Sequence, residues 1–567
     1  MSNKPILQQL LDELPISAEL YWQLRRQLIP PRAEPYWQEF QSLLPEWVSE
    51  ARQLRQANAQ HPLVPSKRLL IFGSQRYWIK YATLLALAMA GLGHQVSLAY
   101  APYIKWQERI NRFERYRQAE RVREVLEPAT DLLNVVPFTQ SEAKSRKPLP
   151  ALLSRAIEEV ALRDVQYTLQ VEEVDLKSDL YRLRMERNTQ AARAALAWMQ
   201  AHRPQAVITP NGSILEMGAV YEAARFLELP VVTYEFGEQR GRIWMALNDE
   251  VMRQETGALW AARRDQLLDE THWQEIRALF DSRQRASLWE NFARLWQGQP
   301  ARGGEHVRRE LGLDERPVFL LPANVIGDSL TLGRQVFSQS MTEWLERTIQ
   351  YFAGRPEVQL VVRIHPGERY LKGPSVGDLA LRQLPNLGKD PALSHIHLVA
   401  ADDPINTYDL VEIADLGMVY TTTVGLEMAM SGVPVLVAGV THYRSKGFTL
   451  DPDSWDSYFA LLDRAILGFR GDHPPDAHPP AFRLEREQVE QAWNYAYRFF
   501  FEFPLPFPWH LLDYKEKLEE WPLERTLSAE GWAEFGGTFR CLAGEPRDWP
   551  VPPSGRHLET AQDADYR

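Results

Sequence analysis

The sequence predicts an α/β protein: two Rossmann-like domains facing each other, with a helical N-terminal extension and an aromatic C-terminal helical segment. Three observations predict it. Short apolar runs alternate with helical stretches in two separate series. A stretch rich in Pro, Gly and mixed charge, WQGQPARGGEHVRRELGLDERP, lies between the two series. Both ends of the chain lose the alternation. Strands that alternate with helices build a mostly parallel sheet covered on both faces.

Residues 1–66 carry apolar residues at helical spacing in PILQQLLDEL, AELYWQLRRQL and PYWQEFQSLLPEWVSEARQLRQ, which predicts a helical extension. The first series opens at KRLLIFGSQRYW, where the apolar run Leu69–Phe72 meets Gly73 and Ser74. A helix, IKYATLLALAMAGLG, and a second strand, HQVSLAY, complete a βαβ unit. The pattern recurs at PQAVITPNGSILEMGAVYEAARFLELPVVTYEFG. The second series has strand candidates VFLLPAN, VQLVVRIHP, IHLVAA, LGMVYT and VPVLVAG. REQVEQAWNYAYRFFFEFPLPFPWHLL reads as an aromatic helix stopped by prolines, and a polar tail follows it. The expected organisation is an extension over 1–66, a first domain over 67–298, a linker over 299–316, a second domain over 317–480 and a helical segment with tail over 481–567.

Composition excludes several classes. The 567 residues are 45% hydrophobic and 25% charged, ordinary for a globular protein with sizeable cores. One cysteine, Cys541, excludes a disulfide framework or a multi-cysteine metal site within the chain. The formal charge of −11 opposes non-specific binding to nucleic acid. The N-terminus lacks the basic-then-apolar order of a signal peptide, and the apolar run at 83–93 is too short to span a bilayer. A cytoplasmic protein is expected. The mixed-charge, aromatic run IKWQERINRFERYRQAERVREVLE is compatible with peripheral contact at the inner face of the membrane.

Ligands of open parallel sheets bind outside the carboxyl ends of the strands, so those ends supply the candidate site residues. In the second series they are Asn324 after VFLLP, and Arg363 and His365 in RIHPGE. Thr421, Thr422, Thr423, Gly425 and Glu427 follow in TTTVGLE, then His442, Arg444 and Lys446 in THYRSKG. The threonine turn offers hydroxyls and N–H groups to an anion, with Gly425 allowing close backbone approach and Glu427 able to accept from ribose hydroxyls. In the first series they are Asn211, Ser213 and Glu216 in TPNGSILEMG, and Glu235, with Glu238, in TYEFGEQRGR. A carboxylate across a cleft from a phosphate site is what a general base requires.

The segments RIHPGE, NTYDL and VYTTTVGLEMAMSGVPVLVAGVTHYRSKGFT resemble the capsule polysaccharide biosynthesis proteins, which belong with glycosyltransferases of the two-Rossmann, or GT-B, architecture. TPNGSILEMGAVYEAARFLELPVVTYE resembles the acceptor-side half of the same group. The likeness spans roughly residues 200–450 and is clearest over 359–449. It implies a nucleotide-sugar donor bound by the second domain as substrate, with His365 and the threonine turn facing its phosphates and Glu427 its ribose. It also implies an acceptor domain over 67–298, a glycan or lipid-linked saccharide as acceptor, and neither a metal nor a cofactor. His365 and Lys446 are expected to stabilise the leaving phosphate and Glu216 to act as base. In one respect the sequence departs: many retaining members carry a second Glu eight residues after the first, where this chain has Val435. The expected activity is glycosyl transfer. The alternatives are a nucleotide-sugar epimerase of the same architecture and a non-catalytic scaffold in an envelope-polysaccharide assembly complex.

Overall fold

A computed structural model describes residues 20, 21, 24, 34–141, 147–237, 239–285, 299–371, 373–469 and 483–549. Apart from Leu20, Tyr21 and Leu24, the expected helices before residue 34 lie outside the described residues, as does the tail from 550. The protein is mixed α/β. Its first sheet contains β1 (Arg68–Ser74), β2 (Gln95–Ala101), β3 (Leu133–Pro137), β4 (Ala206–Pro210), β5 (Val231–Glu235) and β6 (Arg242–Leu247), in the order β6-β5-β4-β1-β2-β3. The pairs from β5 to β3 are parallel, and β6 runs antiparallel to β5. A second sheet contains β7 (Val318–Pro322), β8 (Gln359–Arg363), β9 (Ile396–Val399), β10 (Leu416–Val419) and β11 (Val435–Val437). It is parallel throughout, in the order β11-β10-β7-β8-β9. A short strand, β12 (Leu505–Pro506), pairs antiparallel with β6 at the edge of the first sheet.

Strand alternation sends successive side chains to opposite faces, and here both faces are covered. Leu69 and Ile71 meet α1 (Pro35–Gln60), through Trp37, Phe40 and Leu44, and α2 (Gln75–Gly91), whose apolar run is buried nearly all round. Leu70 and Phe72 point the other way, toward the face where α3 (Ala151–Leu169), α4 (Asp179–His202) and α5 (Leu215–Phe226) pack on one another. The second sheet is likewise sandwiched. Val318, Leu320 and Val419 share a core with α6 (Gly257–Arg263) and α7 (Glu270–Gln284). Phe319, Leu321 and Met418 share the opposite core with α8 (Met341–Ala353). The threonine turn leads into α9 (Val424–Met430), packed beside α10 (Arg486–Tyr497).

The chain crosses between the cores at places other than those expected. Leu259, Trp260, Ile276 and Phe280, within the expected first domain of 67–298, pack on the second sheet instead. Within 481–567, α10 stays on the second core, while Phe507 and Trp509, with α11 (Ala529–Leu542), return to the first. An amphipathic helix advertises its apolar face but not which sheet covers it, so each core takes the segment whose connection reaches it. No helix among the described residues is long and apolar enough to cross a membrane.

Candidate functional site

Strand order places β7 between β8 and β10, so the residues leaving these three strands share one edge, with neighbouring strands about 4.8 Å apart. Asn324, just beyond β7, is buried and accepts from the Thr421 N–H at 3.2 Å, tying two strand exits together. Thr422 and Thr423 are partly open to solvent. Among the described residues no hydrogen bond takes up their N–H groups. His365 leaves β8, half-buried, and its Nδ1 accepts from the Gly367 N–H at 3.0 Å. That bond fixes the tautomer: in the neutral ring the proton sits on Nε2.

Gly425 is required by packing. A Cβ there would stand 2.4 Å from the Tyr443 hydroxyl, which donates to the Thr422 carbonyl at 2.6 Å. Tyr443 therefore braces the turn from beneath. Gly425→Ala is expected to cost about 1–3 kcal/mol, the range for overpacking a filled site. A thermal melt of Gly425→Ala against Gly425→Ala/Tyr443→Phe checks this, since removing the hydroxyl should recover part of the loss.

The remaining candidates on this half divide by their partners. Glu427 is buried, and its Oε1 accepts from Arg283 of α7 at 2.7 Å and 2.9 Å and from the Tyr408 hydroxyl at 3.2 Å. His442 stacks on Phe499 with ring centroids 3.6 Å apart, and burial holds it well below the usual imidazole range, so it is neutral. Arg363 donates to the carbonyls of Ala400 and Ile405, and Arg444 to those of Val437 and Pro452. Both arginines therefore pin loops, with their donors turned to backbone. Lys446 is half-buried, which lowers its pKa, and among the described residues it makes no ion pair. Val435 opens β11 and is fully buried, so its place in the sequence is a core strand position.

On the first sheet the exits of β1, β4 and β5 meet. Asn211 takes the left-handed conformation at φ 58°, and its Oδ1 accepts from the N–H and hydroxyl of Ser213 at 3.1 and 2.5 Å. Its amide donates to Glu235 Oε2 at 3.4 Å. Glu235 ends β5, partly open yet hemmed in by protein. Burial pushes its pKa up to about 7, against the lowering effect of the hydrogen bonds from Asn211 and Phe236 N–H. The charge on Glu235 and that on Asp328, from the loop after β7, both reach Tyr167 of α3. Glu216 is 2% exposed, its Oε2 accepting from the Ser74 hydroxyl at 2.7 Å. Glu238 lies outside the described residues.

These two edges belong to parts of the chain that touch. Glu172, just past α3, accepts from the N–H groups of Met341 and Thr342 at 2.8 Å each, capping α8 from the other half. Gly327 and Gly373 pass directly beneath residues 170 and 171, where a Cβ would come within 2.4 and 2.5 Å of backbone atoms. A hollow of about 400 Å³ is walled by Gln170 from one half and by Val325, Ile364, Glu368 and Asp402 from the other. A larger cavity, about 1120 Å³, opens at the opposite, amino-end side of the first sheet, beside Arg68, Gln95 and Leu133. The carboxyl edges carry the partly open titratable and N–H groups, and ligands of parallel sheets bind at such edges, which makes them the candidate site. No group of three or more His, Cys, Asp or Glu among the described residues is placed to hold a metal ion.

The structure thus gathers His365, Asn324 and Thr421–Thr423 on one edge, and Asn211, Ser213 and Glu235 on the other. It turns Arg363, Arg444 and His442 inward. Sequence reasoning missed Arg283, Glu172 and Tyr167. Each lies in or just beyond a helix whose local pattern is ordinary, so only the packed fold identifies its partner.

No protein-family model and no curated protein matches the chain significantly. Solved structures to which it is similar include a KpsC β-Kdo 2,4-transferase of Thermosulfurimonas dismutans, at 14% identity over 52% of this chain and 79% of that one, with a TM-score of 0.32. UDP-GlcNAc 2-epimerase of Neisseria meningitidis, bound to UDP-GlcNAc, is 12% identical over 77% of this chain and 100% of that one, with a TM-score of 0.24. The wall teichoic acid polymerase TagF is 10% identical over 85% and 93%, with a TM-score of 0.19.

Proposed function

We propose that the chain is a glycosyltransferase that moves a sugar from a nucleotide-activated donor to a glycan or lipid-linked saccharide. The observation that carries this reading is the juxtaposition of two unlike edges. One offers the N–H groups of Thr422 and Thr423 and a His365 ring with its proton on Nε2. The other offers Glu235, a carboxyl that gains and loses its proton near neutrality. Negative charge grows on the departing phosphate as the glycosidic bond to it breaks, and fixed donors at that point lower the barrier. The acceptor hydroxyl must lose a proton as it attacks, and a base with a pKa near the working pH serves best. Glu235 takes that role in place of Glu216, whose carboxylate is enclosed. Lys446 adds a cation to the same half.

The test is turnover of CMP-, UDP- and GDP-sugars, with and without saccharide acceptors, followed by mass spectrometry. Product whose mass rises by one sugar, formed only with acceptor, supports the reading. His365→Ala should lower that rate on the order of a hundredfold. Isomerisation of the donor without acceptor would assign the chain to an epimerase instead. No turnover and no nucleotide affinity would leave a scaffold.

A further inference from the structure

Chain progress through the first sheet reverses between β1 and β4, the kind of switch point at which open parallel sheets take ligands. Beside it, under the exits of these strands, polar side chains from α3, α4 and α5 meet in the interior. Ser74, the last residue of β1, donates to Glu216 Oε2. Arg184 Nε lies 3.3 Å from Asp164 Oδ2, with both side chains enclosed. Among the described residues, the two terminal nitrogens of Arg184, both amide atoms of Asn188, and Glu216 Oε1 are buried and find no hydrogen-bond partner. Buried polar atoms are paired in the great majority of cases, so this many orphans together at a switch point call for a partner. The irregular loop between β2 and the helix Arg112–Val125 packs beside these groups. Arg187 fastens that loop by donating to the carbonyls of Lys105, Trp106 and Glu108 at 3.3, 2.9 and 2.5 Å. The Trp106 ring lies 5.0 Å from the Arg184 guanidinium.

We propose that this buried polar cluster is a binding site for an anionic saccharide. Its carboxylate or phosphate would pair with the terminal nitrogens of Arg184, and its hydroxyls with Asn188 and Glu216. The 102–111 loop would open to admit it. A guanidinium fork recognises carboxylate or phosphate through two parallel hydrogen bonds, and a free carboxylate oxygen accepts from a sugar hydroxyl. The charged groups of the cluster are Arg184, Arg187, Glu216 and Asp164. Burial, more than any charge nearby, pushes Asp164 up to about 7, so near neutrality it is partly protonated and the balance is positive. That balance suits a ligand with one negative group. The inference rests on the transferase reading for its meaning: the ligand would be an anionic sugar of the acceptor.

The experiment uses the full-length protein with glucuronic acid, glucose 1-phosphate and glucose, by titration calorimetry and by hydrogen exchange of the 102–111 loop. At least one anionic sugar is expected to bind and to slow exchange in the loop, with glucose at least about tenfold weaker. Whichever anion binds better identifies the source as carboxylate or phosphate. Arg184→Lys, which keeps the charge and loses the fork, should weaken that binding about tenfold or more. Two outcomes overturn the site: no loop protection by either anion, or a folded Arg184→Lys protein with unchanged affinity. Should that variant fail to fold, loop protection in the unaltered protein decides alone. Nucleotide binding, measured in parallel by thermal shift, separates the two readings. Nucleotide affinity without anionic-sugar binding removes this site and keeps the transferase; the reverse removes the transferase and keeps the site.

Discussion

Glu235→Gln should abolish most of the transfer activity while making the protein more stable. Losing a positioned base typically costs about 10²–10⁴ in rate. In the unaltered protein the rate should climb with pH until about pH 7 and then level, because the active form is the carboxylate. Stability follows from the same shift. The folded pKa lies above that of an unfolded glutamate, so folding disfavours the ionised form. No penalty exists in acid below the unfolded pKa. The penalty builds as pH rises through the interval up to about 7 and is complete above it. Allowing for the partial exposure of Glu235, the relief in Glu235→Gln is about 1–3 kcal/mol above pH 7 and vanishes near pH 4. Thermal melts of both proteins at the two pH values check the sign, and initial rates check the loss. A variant that keeps its activity would remove Glu235 as the base, and one that gains no stability above pH 7 would place the carboxyl in a solvated setting.

Arg283→Met should be among the most destabilising single changes in the second core. Arg283 is fully enclosed, lies over the Phe280 and Phe500 rings, and satisfies Glu427 from a helix outside the sheet's own series. Removing it leaves Glu427 buried with, among the described residues, Tyr408 as its remaining side-chain donor. Breaking one side of such a pair costs about 3–5 kcal/mol, whereas replacing both partners by uncharged groups is often nearly neutral. Arg283→Met/Glu427→Gln should therefore melt much closer to the unaltered protein than Arg283→Met does. The pair also bears on the expected ribose contact of Glu427. One carboxylate oxygen is committed to Arg283 and Tyr408, which leaves Oε2, buried and with no hydrogen-bond partner among the described residues, as the atom that could meet a hydroxyl.

Much of the architecture could be read from the residues because it rests on local signals. Runs such as Leu69–Phe72 and Val318–Leu321 are apolar on both faces, as buried parallel strands must be, and each is closed by Ser, Pro or Asn at its exit. The strand exits that carry Asn211, Glu235, Asn324, His365 and Thr421 are therefore visible in the sequence. What those side chains do there is not, because their partners arrive from far along the chain. Arg363 looks like a phosphate ligand until the loop after β9 supplies the carbonyls that occupy it. Gly425 looks like room for a ligand until Tyr443 fills the space. The path of the chain was hidden for a related reason. A two-residue strand such as β12 has too few residues to show any period, and α7 carries an apolar stripe that would suit either sheet.

The central claim is that the carboxyl edge of the second sheet holds the anionic part of a nucleotide. A crystal structure of the full chain soaked with a nucleoside diphosphate tests it most directly. Phosphate oxygens within hydrogen-bonding distance of the Thr422 and Thr423 N–H groups, with His365 Nε2 turned toward them, is the predicted result. A nucleotide seated instead in the cavity beside Arg68 and Gln95, with the threonine turn unoccupied, would contradict it.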